Sequence, residues 1–267
     1  MLVPLRCVLG GVAISESNLR EIYEGIEQTI LSKSQNKTEA KNLLSCLNQR
    51  MVLEEDQDYF RALVTAIFHG SGIKAVQLEP VLYEMFKNSV FCDYRKVLKL
   101  TEKQQRALCQ LDGIGYKQSL DRVFKSTKMF EEKIKQHGSF LNYMNAHEDV
   151  ALYKDLKKNF HGLGKISTYH FLKECGHPHM KPDSVIGRSF SRLGLIDDID
   201  NIGEIIRVGD QIARITGHTH QRIDLVLVKF GAEGASDLFN LVDGICREKN
   251  PDCGSCLIKQ HCSFTNE

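Results

Sequence analysis

The stretch on which the reading of this chain turns is FHGLGKISTYHFLKECGHPHMKPDSVIGR, residues 160–188. Gly162, Leu163 and Gly164 stand between two helical patterns and allow a tight turn. The backbone N–H groups of such a turn, with the N-terminus of the helix that follows, can cradle a phosphate. A helix-connecting turn with no ligand is the commoner use of a G-x-G string. Asp183 follows Gly164 by 19 residues, behind Lys181 and Pro182 and five residues before Arg188. By itself an Asp after Pro is a turn or N-cap residue.

Outward from this stretch the dominant period is helical. Leu19, Ile22, Tyr23, Ile26 and Ile30 recur at helical spacing, and Asn18 with Glu21 offers a capping-box start. Phe60, Leu63, Val64, Ile67 and Phe68 make a second stripe that stops at His69-Gly70-Ser71-Gly72. Further helical patterns cover 77–87, 101–111 (opened by Thr101 with Gln104), 117–136, 150–159, 165–175 and 203–230. The polar run SKSQNKTEAKN, from residue 32, reads as a loop or an exposed helix turn. Strand-like alternation is scarce, and there is neither a solenoid repeat nor a low-complexity segment. The expected fold class is all-α with short connections.

The C-terminal end has a different character. GICREKNPDCGSCLIKQHC places Cys246, Cys253, Cys256 and Cys262 at the spacing C-x6-C-x2-C-x5-C. Four thiols in so short a span suit one compact metal centre, which a chain can wrap without long loop closures. Spacing alone admits a tetrahedral zinc as well as an iron–sulfur cluster.

Composition sets only wide bounds. The chain has 267 residues, is 42% hydrophobic and 26% charged, and carries a formal net charge of +1, so a nucleic-acid-binding face requires local clustering of Lys and Arg. No stretch is apolar enough to span a bilayer, and no membrane partner is expected. Residues 7–14 form an apolar run that is short for a secretory segment. Nine cysteines without such a segment favour ligands or buried thiols over disulfides.

The cysteine segment, with its Pro251 to Cys256 core, closely resembles the cluster loop of the endonuclease III branch of the helix-hairpin-helix (HhH-GPD) DNA glycosylases. With the turn at 162–164, Asp183 and the cysteines in this order, the resemblance runs over roughly residues 58–262. It implies a two-lobed all-helical fold: N-terminal helices (1–57) packing on the cluster domain, a central domain (58–177) ending in the hairpin, and a C-terminal domain (178–267) carrying a [4Fe–4S] cluster on the four cysteines. Asp183 matches the family's catalytic aspartate and is expected at the mouth of a cleft. Gly162, Leu163, Gly164, Lys165 and Ser167 match the phosphate-gripping hairpin. Arg247 and Lys249 lie in the loop that approaches DNA in the family, although a solvated charged loop explains them equally well. The implied partner is double-stranded DNA with a damaged base, bound by a monomer in the nucleoid or cytoplasm of a prokaryote or in a nucleus.

The chain also departs from the family pattern. Bifunctional members carry a lysine two residues after the second hairpin glycine, which attacks C1′; here that residue is Ile166. Lys165 is adjacent, but one helical step turns it by about 100° toward phosphate. A monofunctional glycosylase is therefore expected, with a lyase-proficient enzyme for oxidised bases and a non-catalytic iron–sulfur DNA-binding protein as the alternatives. Thr65 takes the place of the glutamate of the adenine-specific branch. His69, Ser71 and Tyr116 are candidate pocket or wedge residues, and Phe68, Tyr116 and Tyr169 candidate stacking surfaces. A second string, LDGIGYKQS, reads as structural, with turn residues Gly113 and Gly115. Alkylated purines, already good leaving groups, are the expected substrates.

Overall fold

A computed structural model describes residues 7–9, 12–49, 53–73, 75–108 and 117–264. The chain opens on an antiparallel strand pair, β1 (Cys7–Leu9) and β2 (Val12–Ile14), in which Cys7 faces Ile14. Helices α1 (Glu16–Lys33) and α2 (Lys37–Cys46) follow. Next come α3 (Asp56–His69), α4 (Ala75–Asn88), α5 (Tyr94–Leu98), α6 (Glu102–Leu108) and α7 (Lys117–His137). After them lie α8 (Phe140–Asn145), α9 (Asp149–Asn159) and α10 (Lys165–Glu174). The last three are α11 (Ser184–Arg192), α12 (Ile202–Thr216) and α13 (His220–Gly231). Among the described residues, apart from this strand pair and an isolated bridge between Ser236 and Leu241, the fold is all-α. No described helix is long and apolar enough to cross a membrane.

Two compact units divide the chain, one formed by Met51–His177 and the other by Met1–Arg50 with Pro178–Glu267. In the first, α3 is the central element. Its residues Phe60, Leu63, Val64, Ile67 and Phe68 are all buried, and it packs on α4, α7, α8 and α10. Phe130 and Phe140 stack at 4.2 Å between ring centres, with Phe60 edge-on to Phe130 at 5.7 Å. Such aromatic pairs add roughly 0.5–1.5 kcal/mol each beyond area burial. Asp56 accepts a bond from the Phe140 amide at 2.8 Å, tying the start of α3 to that of α8.

The second unit is built on α1, α12 and α13. Leu19, Ile22, Tyr23, Ile26 and Ile30 line one face of α1, and Ile205, Val208, Ile212 and Ile215 line one face of α12. Arg222 of α13 is buried and forms a forked pair with Glu27 of α1, at 2.7 and 2.8 Å from one nitrogen, while donating to the Leu44 carbonyl of α2 at 3.2 Å. One guanidinium thus ties three helices. Burial also pushes the neighbouring Tyr23 phenol far above its usual range.

Several local readings are refined. Helix α1 starts earlier than the Asn18/Glu21 pair suggests, because Ser15 caps it by accepting from the Asn18 amide at 3.2 Å. The polar run from residue 32 contains the start of α2, whose buried anchors are Ala40 and Leu44. The pattern over 203–230 is two helices: Gly217 adopts a left-handed φ of 73°, and Thr219 caps α13. Only a residue without Cβ enters that conformation freely, so the chain reverses there.

The expected fold class is corrected in one respect. It included a C-terminal [4Fe–4S] loop, yet among the described residues there is no group of three or more His, Cys, Asp or Glu placed to hold a metal ion.

Candidate nucleic-acid interface

In the unit formed by Met51–His177, α9 ends at Asn159 with Phe160 as its C-cap, and α10 begins at Lys165 with Gly164 as its N-cap. Gly162 has φ +94°. A Cβ there would lie 3.0 Å from Ile67 Cγ2 and 3.1 Å from Arg122 Cδ, so glycine is required both by conformation and by space. Leu163 between the glycines is buried and anchors the turn in the core. Ser167 latches it: its hydroxyl accepts from the Gly164 amide at 2.7 Å and donates to the Gly162 carbonyl at 3.0 Å. Ser126 holds the His161 carbonyl at 2.8 Å.

With the turn so fixed, the first-turn amides of Lys165, Ile166 and Ser167 have no acceptor inside α10. They sit at the positive end of the helix dipole. Lys165 is exposed, as is Ile166. A cavity of about 400 Å³ opens beside the turn. Arg122 of α7 and Lys157 and Lys158 of α9 line it together with His161, Gly162 and Gly164, and none of the described residues lining it is acidic. These three cations were not singled out in the sequence. The Lys157–Lys158 pair directly before the hairpin was a legible signal, whereas Arg122, some 40 residues upstream, gave none.

The loop after α3 adjoins the same turn. A Cβ on Gly70 would approach Ser167 Cβ to 3.5 Å, which places His69 and Ser71 beside the start of α10. His69 is half-buried, its ring edge-on to that of His170 at 4.9 Å. Ser71 is exposed, and its hydroxyl donates to the Phe68 carbonyl. His170 is 3.2 Å from Glu174, and Lys173 is 3.0 Å from the same carboxylate oxygen. Burial acts to raise the Glu174 pKa, but Lys173 and His170 together overcome it and hold the group well below the usual carboxylate range. Thr65 is half-buried on α3. Phe68, considered as a stacking surface, is fully buried in the core and cannot meet a base. Tyr169 is half-buried and lies 4.6 Å from the Tyr153 ring. Tyr116, Gly113 and Gly115 lie outside the described residues.

Asp183 belongs to the other unit, where it is the N-cap of α11. Its Oδ1 accepts from the amides of Val185 and Ile186 at 3.1 and 3.2 Å, and its Oδ2 is 3.5 Å from Lys181 Nζ. Asp224, buried on α13, accepts from the Lys181 amide at 2.6 Å and so fixes the chain just before Pro182. Arg188 bonds the Gly231 carbonyl at 2.6 Å. The result is a carboxylate of set orientation with about 18% of its side chain exposed. Helix capping accounts for one of its oxygens. Among the described residues the second has only the longer lysine contact.

The four expected metal ligands need correction. Cys246, Cys253, Cys256 and Cys262 are all partly exposed, and among the described residues none of them is in a disulfide. Burial is the larger influence pushing up the Cys256 and Cys262 thiols, with smaller contributions from the neighbouring cysteines. Cys246, Cys256 and Cys262 pack against the hydrophobic core, as small apolar side chains do. Arg192 occupies Cys246 Sγ at 3.4 Å and donates to the Arg247 carbonyl at 2.7 Å, while stacking on the Phe264 ring at 4.0 Å. Backbone bonds close the segment: Cys246 N to Phe230 O at 2.7 Å, Asp252 N to Ile245 O at 2.8 Å, and Ser263 N to Arg192 O at 2.8 Å. Ile258 fills the space over Gly25 of α1. Of the two loop cations, Arg247 is committed to Asp243, and Lys249 is exposed.

No family model matches the chain, and no curated protein or solved structure matches it.

Proposed function

We propose that this chain is a monofunctional DNA base-excision glycosylase of the helix-hairpin-helix kind. The observation that carries the reading is the latched turn at 162–164, which opens α10 at exposed Gly164, Lys165 and Ile166 beside a cation-lined cavity. That arrangement suits a backbone phosphate. Asp183, in turn, suits the chemistry. Cleaving an N-glycosidic bond builds positive charge on the sugar, and a pre-oriented carboxylate stabilises that charge and orients a water without reorganising. The target nucleotide leaves the stack first, because C1′ is out of reach inside a duplex.

Ile166 supplies no amine, so no Schiff base forms at that position and the strand stays intact. Among the damaged bases, alkylated purines bear positive charge and depart with little proton assistance, which matches a site with one acid. A panel of single-lesion duplexes, assayed for free base with and without alkali, tests the reading. Release of base with nicking only after alkali supports it. Nicking without alkali, or a covalent adduct trapped by borohydride, refutes the monofunctional assignment.

One observation favours a second reading. Asp183 already serves α11 as a cap and faces Lys181, which is also how a purely structural aspartate is used. A non-catalytic protein that binds lesions or abasic sites would bind those duplexes and release no base.

A further inference from the structure

We infer that Asp224, a buried carboxylate to which the proposed reaction gives no task, is a positioning residue: by holding the Lys181 amide it sets where the Asp183 carboxylate stands. The inference rests on the glycosylase reading for the reaction that this placement serves. Asp224 acts through the segment that carries Asp183 and not on the substrate.

Asp224 is 2% exposed, and burying a carboxylate is costly unless it is hydrogen-bonded. Its Oδ1 accepts from the Lys181 amide at 2.6 Å, the short distance of a charge-assisted bond. From that peptide to Asp183 the chain has little slack. Pro182 fixes its own φ and biases Lys181 toward extended backbone. Across that proline the Asp183 amide donates to the Lys181 carbonyl at 2.9 Å, closing a three-residue turn. Lys181 Nζ then lies 3.5 Å from Asp183 Oδ2. One buried oxygen thus fixes the peptide that carries both the carboxylate and its lysine partner.

The packing around this segment serves the same end. Met180, one residue earlier, is 1% exposed and lies against Gly209 of α12, where a Cβ would come within 1.9 Å of its sulfur. Gly231 stands seven residues after Asp224, about two turns along α13 and so on the same face. A Cβ there would meet Val185 Cγ1 at 2.8 Å and Ser189 Oγ at 2.9 Å, so α11 lies directly on that face. One helix therefore locates α11 and, two turns away, the segment that leads into it. Asp183 sits at their junction as the N-cap. A carboxylate held in advance is what stabilisation of a developing sugar cation requires.

Three variants and a control test this. Asp224→Leu removes the acceptor, Asp224→Asn keeps an acceptor oxygen, and Gly209→Ala displaces Met180 from another side. Arg222→Met, on the same helix but paired with Glu27, lowers stability without touching the segment. Amide hydrogen exchange read by NMR at Val185 and Ile186, which Asp183 caps, reports the position of the carboxylate without any substrate. Such first-turn amides exchange by local opening. Base release from an alkylated-purine duplex, at a temperature below every melt, gives kcat and KM. Asp224→Leu should speed exchange at both amides and lower kcat by about 100-fold with KM unchanged, as a misplacement of about 1 Å does. Gly209→Ala should move both readouts in the same direction. Asp224→Asn should restore them, and Arg222→Met should leave them at parental values.

Parental exchange in folded Asp224→Leu and Gly209→Ala overturns the inference whether or not the protein releases a base. Faster exchange with parental kcat also overturns it. So does an Arg222→Met protein that matches Asp224→Leu in both readouts, since loss of stability alone then explains the effect. Should Asp224→Leu fail to fold, Gly209→Ala decides by the same criteria. Faster exchange in variants of a parent that releases no base from any lesion sustains the hold of Asp224 on Asp183 and overturns the enzymatic reading.

Discussion

Asp183 can be tested so that its capping role and the proposed catalytic one separate. Its Oδ1 accepts two amide bonds at the start of α11, and its Oδ2 faces Lys181 at 3.5 Å. Asp183→Ala removes the cap and the charge together. Losing an N-cap costs roughly 0.5–2 kcal/mol. At about 3–5 °C per kcal/mol for a body of this size, the melting temperature should fall by about 5 °C. Asp183→Asn keeps an acceptor oxygen of equal capping quality and loses only the lysine pair, a contact worth up to about 1 kcal/mol. Its melting temperature should stay within about 2 °C of the parent. Base release should fall in both variants by about 100-fold or more, the usual consequence of deleting one pre-oriented electrostatic partner. Thermal melts and single-turnover assays on an alkylated-purine duplex read the two effects independently. If Asp183→Asn releases base at the parental rate, the carboxylate has no catalytic role. If both variants melt alike, the cap contributes nothing measurable and the capping account is wrong.

Three further outcomes are expected. Gly162→Ala meets a φ of +94° and contacts of 3.0–3.2 Å, so it should destabilise by about 2–4 kcal/mol and weaken duplex binding; a urea melt within 0.5 kcal/mol of the parent would contradict the turn geometry. Arg222→Met strands Glu27 in a largely buried position and removes the bond to Leu44, which should cost about 3–5 kcal/mol by equilibrium denaturation, and a milder loss would show that water reaches the pair. Acid should also destabilise the protein. Asp155 and Glu174 both have folded pKa values below the ordinary carboxylate range, because Lys133, Tyr143 and Asn159 outweigh burial for the first and Lys173 and His170 do so for the second. A depressed folded pKa gives stability that is present above about pH 4 and disappears as pH falls further, so urea midpoints should drop between pH 5 and pH 2. Lys133→Met should shallow that drop.

Much of the helical framework was legible because burial imposes a period. The stripe Phe60, Leu63, Val64, Ile67 and Phe68 defines α3 and its buried face together. The Thr101/Gln104 pair reads directly as a cap, with Gln104 N bonded to Thr101 at 3.3 Å and the return bond at 2.9 Å. Shorter elements were not legible. Helix α8 has six residues and depends on Phe140 stacking into a distant core, and α2 shows only two apolar anchors in a polar run. Long-range packing sets both, and no local period reports it.

The chain alone determined the order of its motifs: a glycine turn, an aspartate 19 residues on, then four close cysteines. It also determined what is missing, since Ile166 cannot become an amine in any fold. Only the tertiary structure decided that Ser167 latches the turn, that Arg122 joins Lys157 and Lys158 around one cavity, and that Phe68 is core. Likewise it was packing that set Arg192 on Cys246 and raised the thiols of Cys256 and Cys262. Spacing along a chain states which groups are near in sequence, whereas charge state, exposure and partnership follow from which surfaces are driven out of water together.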